Sequence, residues 1–205
     1  LEKETLGLYI TGHPFDAYEE EVRRLAPQRI QDLRPGRETR KVAGLVVAWR
    51  TMKTKRGGTM AIVTLDDRSA RIDATLFTDV FDQCRELLHT DRLLIVEGEI
   101  EEDDFSGGMR LRARSVTDIS EARRKHVREL RISLMAEDFS RGLHKELDRF
   151  LGQNPEGCPV VIRYQNTEAS TFLRLGERWR VSPDDDSLQA LRHLFGNDRV
   201  ELCYP

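Results

Sequence analysis

The chain has 205 residues, of which 39% are hydrophobic and 34% charged, and its 33 basic and 36 acidic residues give a formal net charge of −3. That length holds one large or two small domains. No apolar run approaches the roughly 20 residues that cross a bilayer, no basic-then-apolar leader is present, and no stretch has the basic surplus of a strong duplex binder. The expectation is a cytoplasmic chain with no membrane partner. The three cysteines, Cys84, Cys158 and Cys203, are too widely spaced for a disulfide framework or a metal knuckle, which fits a reducing compartment. The chain opens at Leu1 rather than Met and so reads as a segment of a longer protein.

Residues 1–36 read as a helical lead-in. Leu6 and Ile10 lie four apart on one face of a helix over 2–10, which Gly12 and Pro14 end. Phe15, Tyr18, Val22 and Leu25 fall at helical steps in a second helix, with Glu19, Glu20 and Glu21 toward water. His13 reads as a turn residue rather than a base, since no nucleophile or acid lies near it in the sequence.

From Lys41 the period becomes two. The spacing predicts strands over 42–51, 60–66, 71–77, 92–100 and 109–119. One helix stands between the third and fourth, with Thr78 as its N-cap and Phe81, Cys84, Leu87 and Leu88 as its apolar stripe. Gly44 inside the first strand predicts a bulge or tight bend. Three strands, a helix and two strands is the order of the oligonucleotide/oligosaccharide-binding (OB) barrel, assigned here to residues 37–120. Such barrels present strands two and three and the loops joining strands one to two and four to five. The first of those loops gathers Arg50, Lys53, Lys55 and Arg56 beside Gly57 and Gly58. Strand three offers Arg71, and strand five places Arg110, Arg112 and Arg114 on one face. Spaced cations suit a phosphate backbone, and Phe77 suits base stacking. Trp49 reads as core or barrel rim. The acidic run Glu101, Glu102, Asp103 and Asp104 opposes a polyanion. The plainer reading of the arginine ladder is the wet face of a half-buried sheet.

Residues 121–205 begin with a charged connector over 121–128. They continue as strand 130–135, helix 140–151, a hairpin of 159–164 with 170–175, a short strand 178–181, a helix opened by Asp184, Asp185 and Asp186, and a final strand 200–204. The order is β-α-β-β-α-β, the ferredoxin-like or split βαβ order, which carries no function by itself. The whole chain is therefore expected to be α+β: short N-terminal helices, a five-stranded OB barrel, then a ferredoxin-like domain.

No catalytic constellation emerges. The five histidines are scattered, no Gly-rich phosphate loop or nucleophile elbow occurs, and Asp66 and Asp67, as adjacent strand residues, face opposite sides and make a poor metal pair. No catalytic residue, metal or cofactor is expected.

The run E-K-E-T-L-G-L-Y-I-T-G-H-P-F at 2–15, V-A-G-L-V at 42–46, R-T-M-K-T-K-R-G-G-T-M-A at 50–61 and V-T-L-D-D-R at 63–68 resemble the C-terminal region of the bacterial replicative DNA polymerase III alpha subunit. The resemblance covers about residues 2–120 strongly. The last third is similar in order and in its V-E-L ending at 200–202. It implies that the polymerase chemistry lies upstream, in the rest of the alpha chain. It also implies that the OB domain contacts single-stranded template DNA weakly and without sequence preference, and that the C-terminal domain docks the tau subunit of the clamp loader. Contact with the sliding clamp finds no clear Q-x-x-[LM]-F-type motif here. Tau is expected near Val200, Glu201, Leu202 and Tyr204, where the chain ends. Two alternatives stay open: a pure protein-interaction scaffold with no nucleic-acid binding, and an anticodon-type barrel as in class II tRNA synthetases.

Overall fold

The computed structural model describes Phe15 and residues 18–55, 57–103, 107–138, 143–151 and 156–205. The expected helix over 2–10, the His13 turn, Arg56 and Asp104 lie outside the described residues. The chain divides into two compact units, the first ending at Ile119 and the second beginning at Ser120.

In the first unit, α1 (Glu19–Leu25) has three glutamates in its first turn and Arg23 and Arg24 in its last, matching the helix dipole, and buries Val22 and Leu25. Ile30 and Leu33 then enter the barrel core. The lead-in is pinned there because the Ile30 N–H donates to Asp67 Oδ2 at 2.9 Å. The barrel strands are β1 (Gly36–Lys53), β2 (Thr59–Asp66), β3 (Arg71–Leu76), β4 (Leu93–Glu102) and β5 (Met109–Asp118), and α2 (Thr78–Cys84) stands between β3 and β4. They close in the order β1-β2-β3-β5-β4. Alternation explains the core: Ala61, Val63 and Leu65 of β2 and Ile72, Ala74 and Leu76 of β3 all point inward and are buried. α2 begins at Thr78 without a side-chain cap bond, with Phe77 in the cap position, so Thr78 is the first helical residue rather than the cap.

β1 belongs to two pairings. Residues 40–45 run antiparallel to β4 and residues 45–53 antiparallel to β2. Gly44 sits at the changeover, where an added Cβ would lie 3.0 Å from Leu65 Cβ and 3.1 Å from Asp66 N. The register slips between Val46 and Ala48, so the bend read from Gly44 is a close backbone approach followed by a bulge. β3 and β5 are parallel and share only the pairs Asp73–Arg110, Ala74–Leu111 and Thr75–Arg112.

The stretch expected as a connector over 121–128 is helical instead: α3 (Ile119–His126). Its polar composition hid it. Ile119, Ala122 and Arg123 are its buried residues, and Arg123 Nη1 reaches Asp185 Oδ1 at 2.5 Å. The second unit continues with β6 (Glu129–Met135), α4 (Leu143–Phe150), β7 (Cys158–Gln165), β8 (Ser170–Arg174), β9 (Arg180–Val181), α5 (Asp185–Phe195) and β10 (Val200–Cys203). Asp184 caps α5 by accepting from the Ser187 N–H at 2.7 Å. The α+β class and the element order stand. The ferredoxin-like arrangement does not: the sheet order is β10-β6-β7-β8, with β9 also on β7. A split βαβ unit has another strand between the two that its helix joins. Here β6 and β7 are direct parallel neighbours from Leu130–Val160 to Met135–Gln165.

Candidate nucleic-acid interface

One row crosses the outer face of the barrel. Arg50 on β1 pairs with Ile62 on β2, Ile62 with Thr75 on β3, Thr75 with Arg112 on β5, and Arg112 with Glu99 on β4. Residues paired across strands share a face, so Arg50 and Arg112 lie on one surface with strands two and three between them. Phe77 follows β3 at the end of this row and is 44% exposed. The Arg112 guanidinium carbon lies 5.5 Å from its ring centroid, a cation–π contact.

The β1–β2 hairpin lies beside Phe77. Its turn is closed by Thr54 N–H to Gly58 O at 2.9 Å and Gly57 N–H to Thr54 O at 3.0 Å, and Gly57 takes φ +84°, which favours glycine. A Cβ on Gly58 would collide with the Thr78 hydroxyl, so hairpin tip and Phe77–Thr78 corner touch. Lys53 Nζ donates to Thr59 Oγ1 at 3.0 Å. Among the described residues Arg50, Lys53 and Lys55 have no carboxylate partner. Trp49 shares the inward row with Val63 yet is 42% exposed, a rim position.

The remaining predicted cations are already paired. Arg71 Nε meets Asp66 Oδ2 at 2.8 Å. Arg110 meets Glu101 at 3.1 Å and Asp103 at 3.8 Å, Arg112 meets Glu101 at 3.6 Å, and Arg114 pairs with Glu99. The acidic run therefore neutralises the arginine ladder across the β4–β5 pairing. These pairs are half-exposed and each is worth about 0–1 kcal/mol, so a phosphate can compete for the arginines. Glu99 does not stand out in the sequence and Glu101 reads there only as opposing a polyanion, because only the register brings them opposite residues 110–114.

Asp66 and Asp67 are committed to the turn between β2 and β3. Asp66 accepts from the Arg68 N–H at 2.8 Å, and Asp67 Oδ1 accepts from Ser69 N at 2.9 Å and Ala70 N at 3.1 Å. Among the described residues no group of His, Cys, Asp and Glu is placed to hold a metal ion. Burial pushes the thiols of Cys84 and Cys158 up to about 11, away from nucleophilic use. In the second unit, Val200 and Leu202 are core residues at 4% and 8% exposure. Glu201 is exposed and lies 3.6 Å from Arg131, and Tyr204 is half-buried against the core. Of the four expected docking residues, Glu201 and Tyr204 thus offer side chains to the surface.

Residues 41–119 match the family model of an OB-fold nucleic acid binding domain, and residues 146–196 match that of the DNA polymerase III subunit alpha C-terminal domain. The chain is 48% identical over 203 residues to DNA polymerase III subunit alpha of Pseudomonas fluorescens and 50% identical over 203 residues to that of Pseudomonas aeruginosa, covering 99% of this chain and 17% of each relative. Against the Escherichia coli subunit it is 47% identical over 205 residues, covering 98% of this chain and 18% of the relative. Among solved structures, a replication protein A domain from Methanococcus maripaludis is 18% identical with a TM-score of 0.38, covering 45% of this chain and 93% of that one. The first unit is an OB fold, and the chain is similar along nearly its whole length to the C-terminal region of DNA polymerase III alpha subunits. It spans under a fifth of the length of these curated relatives.

Proposed function

We propose that this chain is a non-catalytic module of a cytoplasmic replicative polymerase, whose barrel contacts single-stranded template DNA and whose second unit docks the clamp-loader tau subunit. The observation that carries the DNA reading is the exposed Phe77–Arg112 pair with Arg50 on the same sheet face, next to a hairpin that carries Lys53 and Lys55 and whose Gly58 abuts Thr78; these three cations have no carboxylate partner among the described residues. The cations suit phosphates and the ring suits a base, which is how single strands are bound without sequence readout. The similarity to alpha subunits supports a chromosome-replication setting, and the tau reading is what membership of that family would imply.

The test is a fluorescence titration of a single-stranded oligonucleotide at several salt concentrations. Arg50, Lys53 and Lys55 changed together to Ser should weaken binding and flatten the dependence of log K on log salt by about 2, at about 0.7 for each phosphate that is no longer neutralised. Unchanged affinity and slope would sink the site. The pairing of Arg110, Arg112 and Arg114 with Glu99 and Glu101 favours a second reading, a protein scaffold. That reading requires no oligonucleotide affinity and a salt-insensitive partner complex. An RNA oligomer of the same sequence in the same titration separates DNA contact from anticodon-type recognition.

A further inference from the structure

Strand β8 (Ser170–Arg174) ends the sheet of the second unit. β7 pairs along one side of it, and among the described residues no strand pairs along the other. All five of its residues are exposed. Phe172 and Leu173 point to opposite faces and are 58% and 50% exposed. The strand is thus exposed on both faces, with only the Arg131 guanidinium 5.2 Å over the Phe172 ring, and unpaired among the described residues along its outer edge, where alternate residues present N–H and C=O groups.

Edge strands ordinarily carry a lysine, a proline, a bulge or an inward charge that keeps other chains from pairing. The sequence S-T-F-L-R has none of these along its centre. Its one charge, Arg174, bonds back to Glu129 at 2.8 Å. The pairing with β7 runs unbroken from Gln165–Ser170 to Val161–Arg174. The hairpin is also braced: Asn166 Oδ1 accepts from the N–H groups of Glu168 at 2.9 Å and Ala169 at 2.7 Å. A braced edge loses little freedom when another strand joins it.

Charge selects the occupant. Arg163 lies opposite Phe172 in register, exposed and without a carboxylate partner among the described residues. A second copy of β8 brings no acid to this place, because residues 170–174 contain none. We propose that β8 is a docking edge for an extended, acidic segment of another protein. The segment adds as a strand, sets apolar side chains over Phe172 and Leu173 on alternate faces, and brings a carboxylate to Arg163. This mode takes affinity from main-chain bonds and specificity from alternate side chains. It rests on the reading above that the second unit docks a clamp-loader subunit.

The experiment uses the full chain with tau as the probe. Phe172→Lys, Leu173→Lys and Arg163→Glu should each weaken tau binding by about tenfold or more, and amides 170–174 should exchange more slowly in the complex. If a Lys variant lowers the melting midpoint, Thr171→Lys, on the same exposed strand, replaces it. Unaltered tau affinity in these variants, or unprotected β8 amides in the complex, overturns the edge and leaves tau docking standing. No tau binding by the unmodified chain overturns the docking reading and the edge with it. Loss of oligonucleotide affinity in Phe172→Ser would put a nucleic acid on this face and overturn the proposal.

Discussion

The two units each expose a phenylalanine with a guanidinium over its ring, and they differ in what surrounds it. Phe77 lies beneath Arg112 at 5.5 Å, and Phe172 beneath Arg131 at 5.2 Å. Near Phe77, the β1–β2 hairpin, whose Gly58 abuts Thr78, carries Arg50, Lys53 and Lys55, three cations without carboxylate partners among the described residues. Around Phe172 most of the charge is spent. Arg131 bonds Glu129 and lies near Glu201, and Arg174 bonds Glu129 as well. The Glu129 hydrogen bond, first among several influences, raises the Arg131 pKa further. An arginine over an aromatic is therefore no mark of nucleic-acid binding by itself. Surplus positive charge distinguishes the barrel site, and an unpaired strand edge distinguishes the other.

The largest effect that separates the two regions comes from glycines whose missing Cβ position is filled by backbone. A Cβ at Gly98 would collide with the Arg112 carbonyl, and one at Gly157 with the Val181 carbonyl. Gly98→Ala should cost the barrel about 3 kcal/mol, since backbone yields less readily than a side chain, and should abolish oligonucleotide binding while sparing tau. Gly157→Ala should do the reverse. Denaturant midpoints and the two binding assays read both outcomes, and equal losses in both assays from either variant would break the separation.

Next in size is the stacking platform. Phe77→Ala should lower oligonucleotide affinity by about tenfold, the scale of one stacked base, whereas Phe172→Ala should leave it unchanged. If both variants lose affinity equally, the two rings are alike and the contrast fails.

A smaller, opposite effect is expected from the acidic run. Glu101→Gln releases Arg110 and Arg112 and should raise oligonucleotide affinity about threefold with a steeper salt slope. A fall in affinity would mean that Glu101 positions these arginines rather than masking them.

The least effect belongs to acid. The Met135 backbone N–H, and after it Arg199, hold the Asp138 carboxyl below its ordinary value of 3.8. Stability from a carboxylate whose folded pKa is depressed is complete above the unfolded value and lost as pH falls through the folded one. Asp138→Asn should therefore destabilise the second unit by about 1 kcal/mol or less at pH 7, and the difference from the unmodified chain should shrink as pH falls below the ordinary carboxylate value and be lost once the folded-state carboxyl is protonated. A difference that persists in acid would exclude the ion pair as its source.

Much of the barrel was legible because its strands bury one face: alternation at Ile72, Ala74 and Leu76 fixes which side is wet, and so puts Arg110, Arg112 and Arg114 together. What opposes those arginines was not legible. The Glu101–Arg110 and Glu99–Arg112 pairings come from register across a loop; Glu101 looks repulsive when read as part of an acidic run, and Glu99 does not stand out. In the second unit the helix and strand order was legible from periodicity. That β7 lies beside β6 was not, because a period says which way a side chain points and nothing about the neighbouring strand. α3 escaped because Ile119 reads as the end of the fifth strand and the rest of its buried contribution is an alanine and an arginine, the latter held by Asp185 from far along the chain.

The barrel closes through only three parallel pairs between β3 and β5, while every other seam is antiparallel and longer. Phe77 stands just past one lip of that closure, and Arg112 belongs to its last pair on the other. Cargo gripped by both residues would work as a clasp on the shortest zip in the cylinder. Loading the barrel would then tighten it at the place where it opens most readily.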